Sequence, residues 1–380
     1  MIDTIKLILD KSMFWITNEA LFEKGITNAG RGYAILVQNP TQSELKAGIY
    51  KPRLTLTNRF NASGRSEKTL SVELSLPKLL YGNNFDELIT NDFNAVLIKL
   101  RAVLKDMGVR VFTDVLAKAP VSAIHYSKNI PLVDGSTPHY IINKIKESNV
   151  TLALDVNQTD YRNGYSFKWH CNSYEVTFYD KIKDLEDYKK KGNRRAIEND
   201  NELQLGLFDS LYKRQKFEVL RMEVRLNTRT KIKQLLQSLH INKEPIFRDL
   251  FNFDISQKVL LNYLDIIESN RLGIFDVNQK EPQSFLAELA INNPKLGTLK
   301  TLQVFGLKQA LQYMDIRQLR AMLGKYSNRS WYRLISEARK VKLPAITSPF
   351  KVIRDCLVSF KSLKLVDFQG VLLNNDKYER

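Results

Sequence analysis

Alternation of polar and apolar residues with a period of two is the feature that most constrains the fold of this chain. It is cleanest in residues 218–226, where apolar positions alternate with Arg221, Glu223 and Arg225. The same kind of pattern, or a shorter strand-like run, occurs in four further segments: residues 51–57, 71–76, 121–125 and 174–179. Such strands predict an antiparallel sheet with one face on a core and the other in solvent.

Helical spacing appears between and after these strands. Residues 86–107 repeat apolar side chains at intervals of three and four, and Gly108 is well placed to end that helix. From about residue 260 the strand signal fades and the remainder looks helical. We therefore expect an α+β protein, with a mainly antiparallel sheet backed by helices over residues 1–275 and a helical C-terminal domain over residues 276–380.

Charge indicates the class of partner. The chain has 380 residues, with 58 Lys and Arg against 41 Asp and Glu, a net charge of +17. An excess of this size favours a polyanion, of which nucleic acid is the commonest. Cys171 and Cys356 lie far apart and form no CxxC pair, so we expect no disulfide framework and a reducing cytoplasm. We expect no membrane segment either, because the apolar runs are short.

Four chemically versatile residues fall on the polar sides of the predicted strands: Glu73, His125, Tyr179 and Glu223. Two carboxylates and an imidazole can bind a divalent metal, and this oxygen-rich set suits Mg²⁺ or Mn²⁺ better than a structural zinc. The alternative to metal binding is a structural role for each residue. The glutamates could pair with Arg53, Arg221 or Arg225, and His125 could be a satisfied histidine of the sheet.

Tyrosine attacks a phosphodiester poorly while it is protonated, since its usual pKa is about 10. Lys181 could favour the phenolate of Tyr179, and His170 or Asp180 could remove its proton; the sequence leaves these possibilities open. A strand tyrosine is more often a packing residue, so Tyr179 could also be structural. The chain contains no P-loop, GxGxxG or HExxH motif, which disfavours an NTPase, a dinucleotide enzyme or a zincin.

Two basic segments are candidate DNA contacts. Residues 189–195 contain five lysines and arginines and form either a solvated loop or a DNA-contacting arm. Residues 315–323 and a second segment from Arg329 predict two short helices with a turn between them. They suit a helix-turn-helix that presents Arg329, Arg333 and Arg339 to DNA, or an ordinary helical hairpin with Trp331 in its core.

Several short segments, in this order and spacing, resemble the replication initiators of filamentous bacteriophages, the gene II protein family. They are scattered over most of the chain: residues 1–3, 72–74, 77–85, 121–125, 178–181, 220–225, 328–333 and 342–344. The Tyr-Asp-Lys at 179–181, followed some forty residues later by Arg-x-Glu, also looks like plasmid initiators that act through a tyrosine. The paired-histidine motif of widespread rolling-circle endonucleases is missing.

This resemblance implies a rolling-circle initiator that nicks one strand at a double-stranded origin and later joins the displaced single strand into a circle. Residues 1–275 would then be the catalytic nicking and joining domain, with Tyr179 as nucleophile, assisted by Lys181. Glu73, His125 and Glu223 would hold Mg²⁺ or Mn²⁺. Host helicase and polymerase would follow the nick. The DNA-binding candidates are Arg53, Arg221, Arg225, Arg329 and Arg333.

Two other functions remain open. A relaxase or transposase would use the same chemistry for transfer to a second DNA molecule. A non-catalytic origin-binding or repressor protein would use the positive charge and the C-terminal helices alone, with Tyr179 merely packing.

Overall fold

A computed structural model places ten strands in one antiparallel sheet, in the order β3-β4-β5-β6-β1-β8-β12-β11-β10-β9, with β2 and β7 paired separately. The strands are β1 Ile2–Asp10, β2 Trp15–Ile16, β3 Glu23–Lys24, β4 Tyr33–Gln38, β5 Arg53–Phe60, β6 Ser66–Ser75, β7 Val109–Arg110, β8 Val121–Pro131, β9 Asn157–Tyr161, β10 Ser166–His170, β11 Tyr174–Asp180 and β12 Val219–Leu226.

The structure describes residues 1–25, 33–41, 43–44, 47–60, 66–132, 136–148, 150, 154, 156–161, 164–184, 218–270, 282–314, 316–323, 328–341 and 350–364. The basic segment 189–195 and the turn between the two C-terminal helices, residues 324–327, lie outside these ranges. No described helix is both long enough and apolar enough to cross a lipid bilayer.

Helices cover the apolar face of the sheet and form a separate group near the C-terminus. They are α1 Leu76–Tyr81, α2 Phe93–Asp106, α3 Thr113–Ala117, α4 Pro138–Lys146, α5 Arg229–Ser238, α6 Phe247–Leu250, α7 Phe253–Ser269, α8 Pro282–Asn292, α9 Thr298–Ala310, α10 Ile316–Leu323, α11 Asn328–Lys340 and α12 Lys351–Ser359. The predicted α+β class, with a mainly antiparallel sheet backed by helices, is therefore confirmed.

Local sequence accounts for the helix ends that matter most. The α2 helix buries Val96, Leu97, Leu100 and Leu104 along one stripe. Gly108 follows it with φ of +77°, a left-handed conformation that glycine adopts without steric strain. Asn252 caps the N-terminus of α7. Its side-chain oxygen accepts a hydrogen bond from the Ile255 N–H at 3.1 Å.

The apolar side chains form two cores. The larger joins the inner face of the sheet to helices α1 to α7 and also includes α12 residues Ile353 and Leu357. The smaller lies within α8 to α11 and contains Phe285, Val304 and Trp331. Helix α12 therefore belongs to the sheet core although it follows the helical group in sequence. The domain boundary near residue 275 stays a prediction.

Candidate metal and tyrosine site

Three predicted site residues, His125, Tyr179 and Glu223, meet in the middle of the sheet, where β1, β8, β12 and β11 are neighbours. Asp3, His125 and Glu223 each offer one ligand atom, and these atoms all lie within 4.8 Å of one another. The register explains the grouping, because Arg225 of β12 pairs with His125 and Tyr179 of β11 pairs with Arg221. Directly opposed residues share a sheet face, so these side chains lie on the polar side.

Asp3 reaches this group through an irregularity in β1. Ile2 pairs with Tyr126 but Thr4 pairs with His125, so the register against β8 shifts by one residue between them. An extra residue of this kind turns its side chain out of the regular alternation. Ile2 and Ile5 are buried, while Asp3 and Thr4 between them are both only partly buried. The bulge thus brings a carboxylate beside His125 where a regular strand would not.

Asp3 is held as an anion. Arg221 Nη2 donates to its Oδ1 at 2.8 Å, and Thr4 Oγ1 donates to its Oδ2 at 2.9 Å. Burial alone would raise the pKa of this carboxyl, but the charges of Arg221 and Lys181 outweigh burial and lower the pKa to about 2.

His125 lies beside Glu223, with Nδ1 at 3.6 Å from Glu223 Oε1. Burial lowers the pKa of His125 below its usual 6.5, against the opposing effect of the Glu223 charge. The imidazole is therefore neutral at pH 7, which is the form that ligates metals.

Glu223 connects the ligand group to the tyrosine. It is only 2% exposed. Its Oε1 accepts from Arg225 Nε at 3.1 Å, and its Oε2 accepts from the Tyr179 hydroxyl at 3.3 Å. Burial raises the pKa of Glu223, but Arg225 and Arg221 together bring it below the usual value. The same carboxylate is thus an anionic ligand candidate and the acceptor of the phenolic proton.

Tyr179 is protonated at neutral pH. Burial raises its pKa well above 10, and the Glu223 charge adds to that rise, whereas Arg221 opposes it. The phenolate therefore requires additional positive charge near the oxygen before it can form.

Lys181 places a cation near the Tyr179 ring. Its side chain is fully buried, with Nζ 5.9 Å from the centre of the Tyr179 ring. Nζ lies 3.8 Å from Asp184 Oδ2 and has no hydrogen-bond partner among the described residues. Burial and the Arg221 charge lower the pKa of Lys181 to about 8, so it is mainly charged at pH 7.

Asp180, which lies between Tyr179 and Lys181 in the sequence, caps a short turn and does not enter the site. Its Oδ1 accepts from the backbone N–H groups of Ile182 and Lys183, both at 3.0 Å. His170 also lies away from Tyr179, on β10, and its Nε2 is 2.7 Å from Thr159 Oγ1. These contacts favour neither residue as the base for Tyr179.

Glu73 is the one expected ligand that is absent from the group. It pairs with Lys6 on β1, its side chain is 44% exposed, and the Lys6 ammonium lies 3.7 Å away. The structure brings His125 and Glu223 together as expected but places Asp3 with them. Sequence reasoning missed Asp3 because strict alternation does not anticipate a bulge; the opening Met1-Ile2-Asp3 was noticed only as part of the family resemblance.

The predicted DNA-binding arginines occupy different environments. Arg221 is 2% exposed and donates to Asn84 O, Asn129 Oδ1, Asp3 Oδ1 and Ser127 Oγ. The expectation that the polar side of β12 is in solvent is therefore wrong at Arg221 and Glu223, which are both 2% exposed. Arg53 is exposed and pairs with Glu73 across the β5–β6 ladder. Arg329 and Arg333 are exposed on α11.

In comparisons with known proteins, no family model matches the chain, and no curated protein or solved structure matches it. The resemblance to filamentous-phage initiators therefore stays a prediction.

The donor set fits a divalent cation. Two anionic carboxylates and a neutral imidazole are ligands that Mn²⁺ accepts readily and Mg²⁺ accepts through the oxygens. The hydroxyl of Thr177, which pairs with Glu223 across β11 and β12, is buried and has no hydrogen-bond partner among the described residues. Asp3, His125 and Glu223 are therefore the residues that would hold the ion.

Proposed function

We propose that this protein is a rolling-circle replication initiator that nicks and rejoins DNA through Tyr179, assisted by Mg²⁺ or Mn²⁺ at Asp3, His125 and Glu223. One observation carries the proposal: the Tyr179 hydroxyl donates to Glu223, and Glu223 belongs to the three-residue ligand group. A nucleophile and a metal site thus share one carboxylate. The rolling-circle role and the nuclease-like fold rest on the family resemblance.

The chemistry follows from the positions of the side chains. Tyr179 Oη attacks the scissile phosphorus and the bond to the 3′ oxygen breaks. The phenolic proton passes to Glu223, which already accepts it as a hydrogen bond, and a proton returns to the 3′ oxygen to give a hydroxyl. A bound divalent cation would stabilise the extra negative charge on the phosphoryl group. Lys181 would stabilise the phenolate, which is otherwise strongly disfavoured.

Rejoining reverses the same steps. The 3′ hydroxyl of a strand gives its proton to Glu223 as its oxygen attacks the phosphotyrosine ester. The bond between phosphorus and Tyr179 Oη breaks, and Glu223 passes the proton to the leaving Tyr179 oxygen. The ester conserves the energy of the cleaved bond, so closure of the circle needs no nucleotide cofactor. Host helicase and polymerase would act between the two steps, in the bacterial cytoplasm.

The charge distribution supports a model in which one part of the chain binds duplex DNA and another cleaves the strand. Residues 282–341 contain ten lysines and arginines against three acidic residues, so they carry +7 of the net +17. Arg329 and Arg333 lie exposed on α11 of this segment. We assign duplex origin binding to the helical group and strand cleavage to the sheet.

The test uses a negatively supercoiled plasmid that carries the noncoding DNA flanking the gene. Wild-type protein with Mg²⁺ or Mn²⁺ is expected to give nicked circles with protein attached to the 5′ end, and none with EDTA or in Tyr179→Phe. Lys181→Met is expected to nick much more slowly. The matched control is Tyr174→Phe on the same strand, whose hydroxyl instead donates to Leu154 O at 2.7 Å; it should nick normally.

Three results would reject the proposal. Nicking that survives in Tyr179→Phe would move the nucleophile elsewhere. Tight binding of a verified origin with intact DNA throughout would indicate a non-catalytic origin-binding protein, and joining only to a second DNA molecule would indicate a strand transferase.

A further inference from the structure

The polar face of the sheet continues past Tyr179 to the outer strands β10 and β9. Ser166 of β10 pairs with Tyr179 on one side and with Tyr161 of β9 on the other. The two tyrosines therefore share a face, with one strand between them. At the usual strand spacing their Cα atoms lie roughly 10 Å apart.

Tyr161 is unusual on this face because it is an exposed ring. Its side chain is 44% exposed. Lys168 of β10 places Nζ 5.4 Å from the centre of the Tyr161 ring, a cation–π distance. Aromatic rings of a folded chain more often lie in its core, as the Phe167 and Trp169 rings of β10 do on the opposite face.

A partly exposed cation lies beside the ring. Lys168 is on the same face as Tyr161 and Tyr179, and its side chain is 21% exposed. Lys168 reaches Glu175 of β11 at 3.5 Å, and Arg225 reaches the same carboxylate at 3.7 Å. Two cations thus share Glu175, and one of them, Arg225, also contacts Glu223 of the ligand group.

We propose that Tyr161 and Lys168 form a stacking platform for an unpaired DNA base next to the scissile phosphate. The base would lie on the Tyr161 ring, and its phosphate would face the Lys168 ammonium. Exposed aromatic rings beside cations bind single strands in this way, largely independently of sequence. The platform is continuous with Tyr179, so a strand bound on it leads directly to the nucleophile.

The platform selects single-stranded DNA over duplex. In a duplex each base is covered by its neighbours, so its ring face is not available to a protein side chain. An origin would therefore have to be unpaired beside the nick before Tyr179 attacks. This inference rests on the proposed function for its substrate, and it specifies the state in which that substrate is bound.

The experiment measures fluorescence anisotropy of a labelled oligothymidylate and of a labelled duplex of equal length, in EDTA so that nothing is cleaved. Tyr161→Ala is expected to weaken single-strand binding about 5- to 150-fold, the equivalent of one stacked base. Tyr161→Phe keeps the ring and should bind like wild type, and Tyr161→Leu keeps bulk without the ring and should resemble Tyr161→Ala. Duplex binding should be unchanged in all three.

The matched control is Tyr140→Ala. Tyr140 lies on α4, which packs against the apolar side of the same strands, and it is 50% exposed. Its loss should leave both affinities unchanged.

Three outcomes would overturn the platform: unchanged single-strand binding in Tyr161→Ala, an equal loss in Tyr161→Phe, or an equal loss with duplex. Nicking by wild type is assayed in parallel with Mn²⁺. If wild type nicks while Tyr161→Ala binds normally, the platform fails and the proposed function stands. If Tyr161→Ala loses single-strand binding but wild type never nicks, the platform stands and the proposed function fails.

Discussion

A single irregular residue determines which carboxylates face His125. Asp3 turns into the site because β1 shifts its register against β8 at that position, whereas Glu73 remains in regular pairing with Lys6. Asp3 is also kept ionised down to a pH near 2 by its contact with Arg221. The proposed ligand set Asp3, His125 and Glu223 therefore depends on local backbone geometry as much as on residue type.

This assignment predicts different effects for two similar substitutions. Asp3→Asn should weaken Mn²⁺ binding at least about tenfold, because it removes an anionic ligand atom, while Glu73→Gln should change the affinity less than about twofold. Isothermal titration calorimetry with Mn²⁺ measures both. Thermal unfolding serves as the folding control, since Asp3→Asn also removes one of the charged partners of Arg221. A larger loss of Mn²⁺ affinity in Glu73→Gln than in Asp3→Asn would favour the ligand set first predicted from the sequence, Glu73, His125 and Glu223.

Lys181 predicts a pH dependence of stability. Its pKa falls from 10.5 in the unfolded chain to about 8 in the fold, so between these values the unfolded chain binds more protons. Stability therefore rises with pH across that window, as the folded lysine loses its costly buried charge. Below pH 8 the full penalty of burying the charge remains.

The measurement compares wild type with Lys181→Met, whose side chain is apolar and of similar length. Relative to this variant, the free energy of unfolding of wild type should increase by about 2 kcal/mol between pH 8 and pH 10. Urea denaturation at the two pH values provides both free energies. Parallel curves for the two proteins would show that Lys181 does not change its charge in this range.

The site shows where sequence reasoning succeeds and where it stops. Alternation placed His125, Tyr179 and Glu223 on one face, and the register confirms that placement. It could not anticipate Asp3, because a bulge breaks the period on which the prediction rests. It also could not anticipate that Arg221 is buried, because its hydrogen-bond partners Asn84, Ser127 and Asn129 come from distant parts of the chain.

Helix α12 shows, at the scale of whole elements, that a local sequence pattern does not identify distant packing partners. Strands such as β12 and helices such as α2 carry their own periodic signals. The bounds of β12 and the C-terminal end of α2 were predicted closely, but α2 begins at Phe93 and not near residue 86. The amphipathic pattern of α12 indicates a helix but does not indicate its partner. Residues far away provide it: the Gln257 side chain of α7 donates to Leu357 O and Val358 O, both at 2.8 Å.

The docking of α12 predicts a stability contrast between two adjacent residues. Leu357 is fully buried in the sheet core, whereas Val358 is exposed. Leu357→Ala should lower the free energy of unfolding by about 2–5 kcal/mol, since it leaves a cavity. Val358→Ala should change it by less than about 0.5 kcal/mol. Urea unfolding followed by circular dichroism measures both, and an equally small effect of the two substitutions would show that α12 adds little to the sheet core.

At the scale of the whole molecule, affinity and chemistry are expected to lie in different parts of the chain. The helical group carries +7 in 60 residues, while the remaining 320 residues carry +10. Electrostatic contacts to phosphates provide much of the affinity of a protein for duplex DNA and make that affinity salt-dependent. The proposed chemical step instead depends on the few groups around Tyr179.

This division predicts variants that lose one property and keep the other. Arg329→Gln combined with Arg333→Gln should weaken origin binding and reduce the slope of log affinity against log salt by about 2, because each arginine that neutralises a phosphate contributes about 0.9. The same protein should still cleave a single-stranded oligonucleotide at the wild-type rate, since Tyr179 and Glu223 are untouched. Tyr179→Phe should show the reverse behaviour.

The matched control removes the same charge from another surface. Lys99 and Arg101 are exposed on α2, which packs on the apolar side of the sheet, away from the face that contains Tyr179. Lys99→Gln combined with Arg101→Gln should leave the salt slope and the cleavage rate unchanged. If this control lowers the slope as much as the α11 variant does, the duplex responds to overall charge and α11 is not its binding element. If the α11 variant also stops cleaving single strands, binding and chemistry are coupled through the fold.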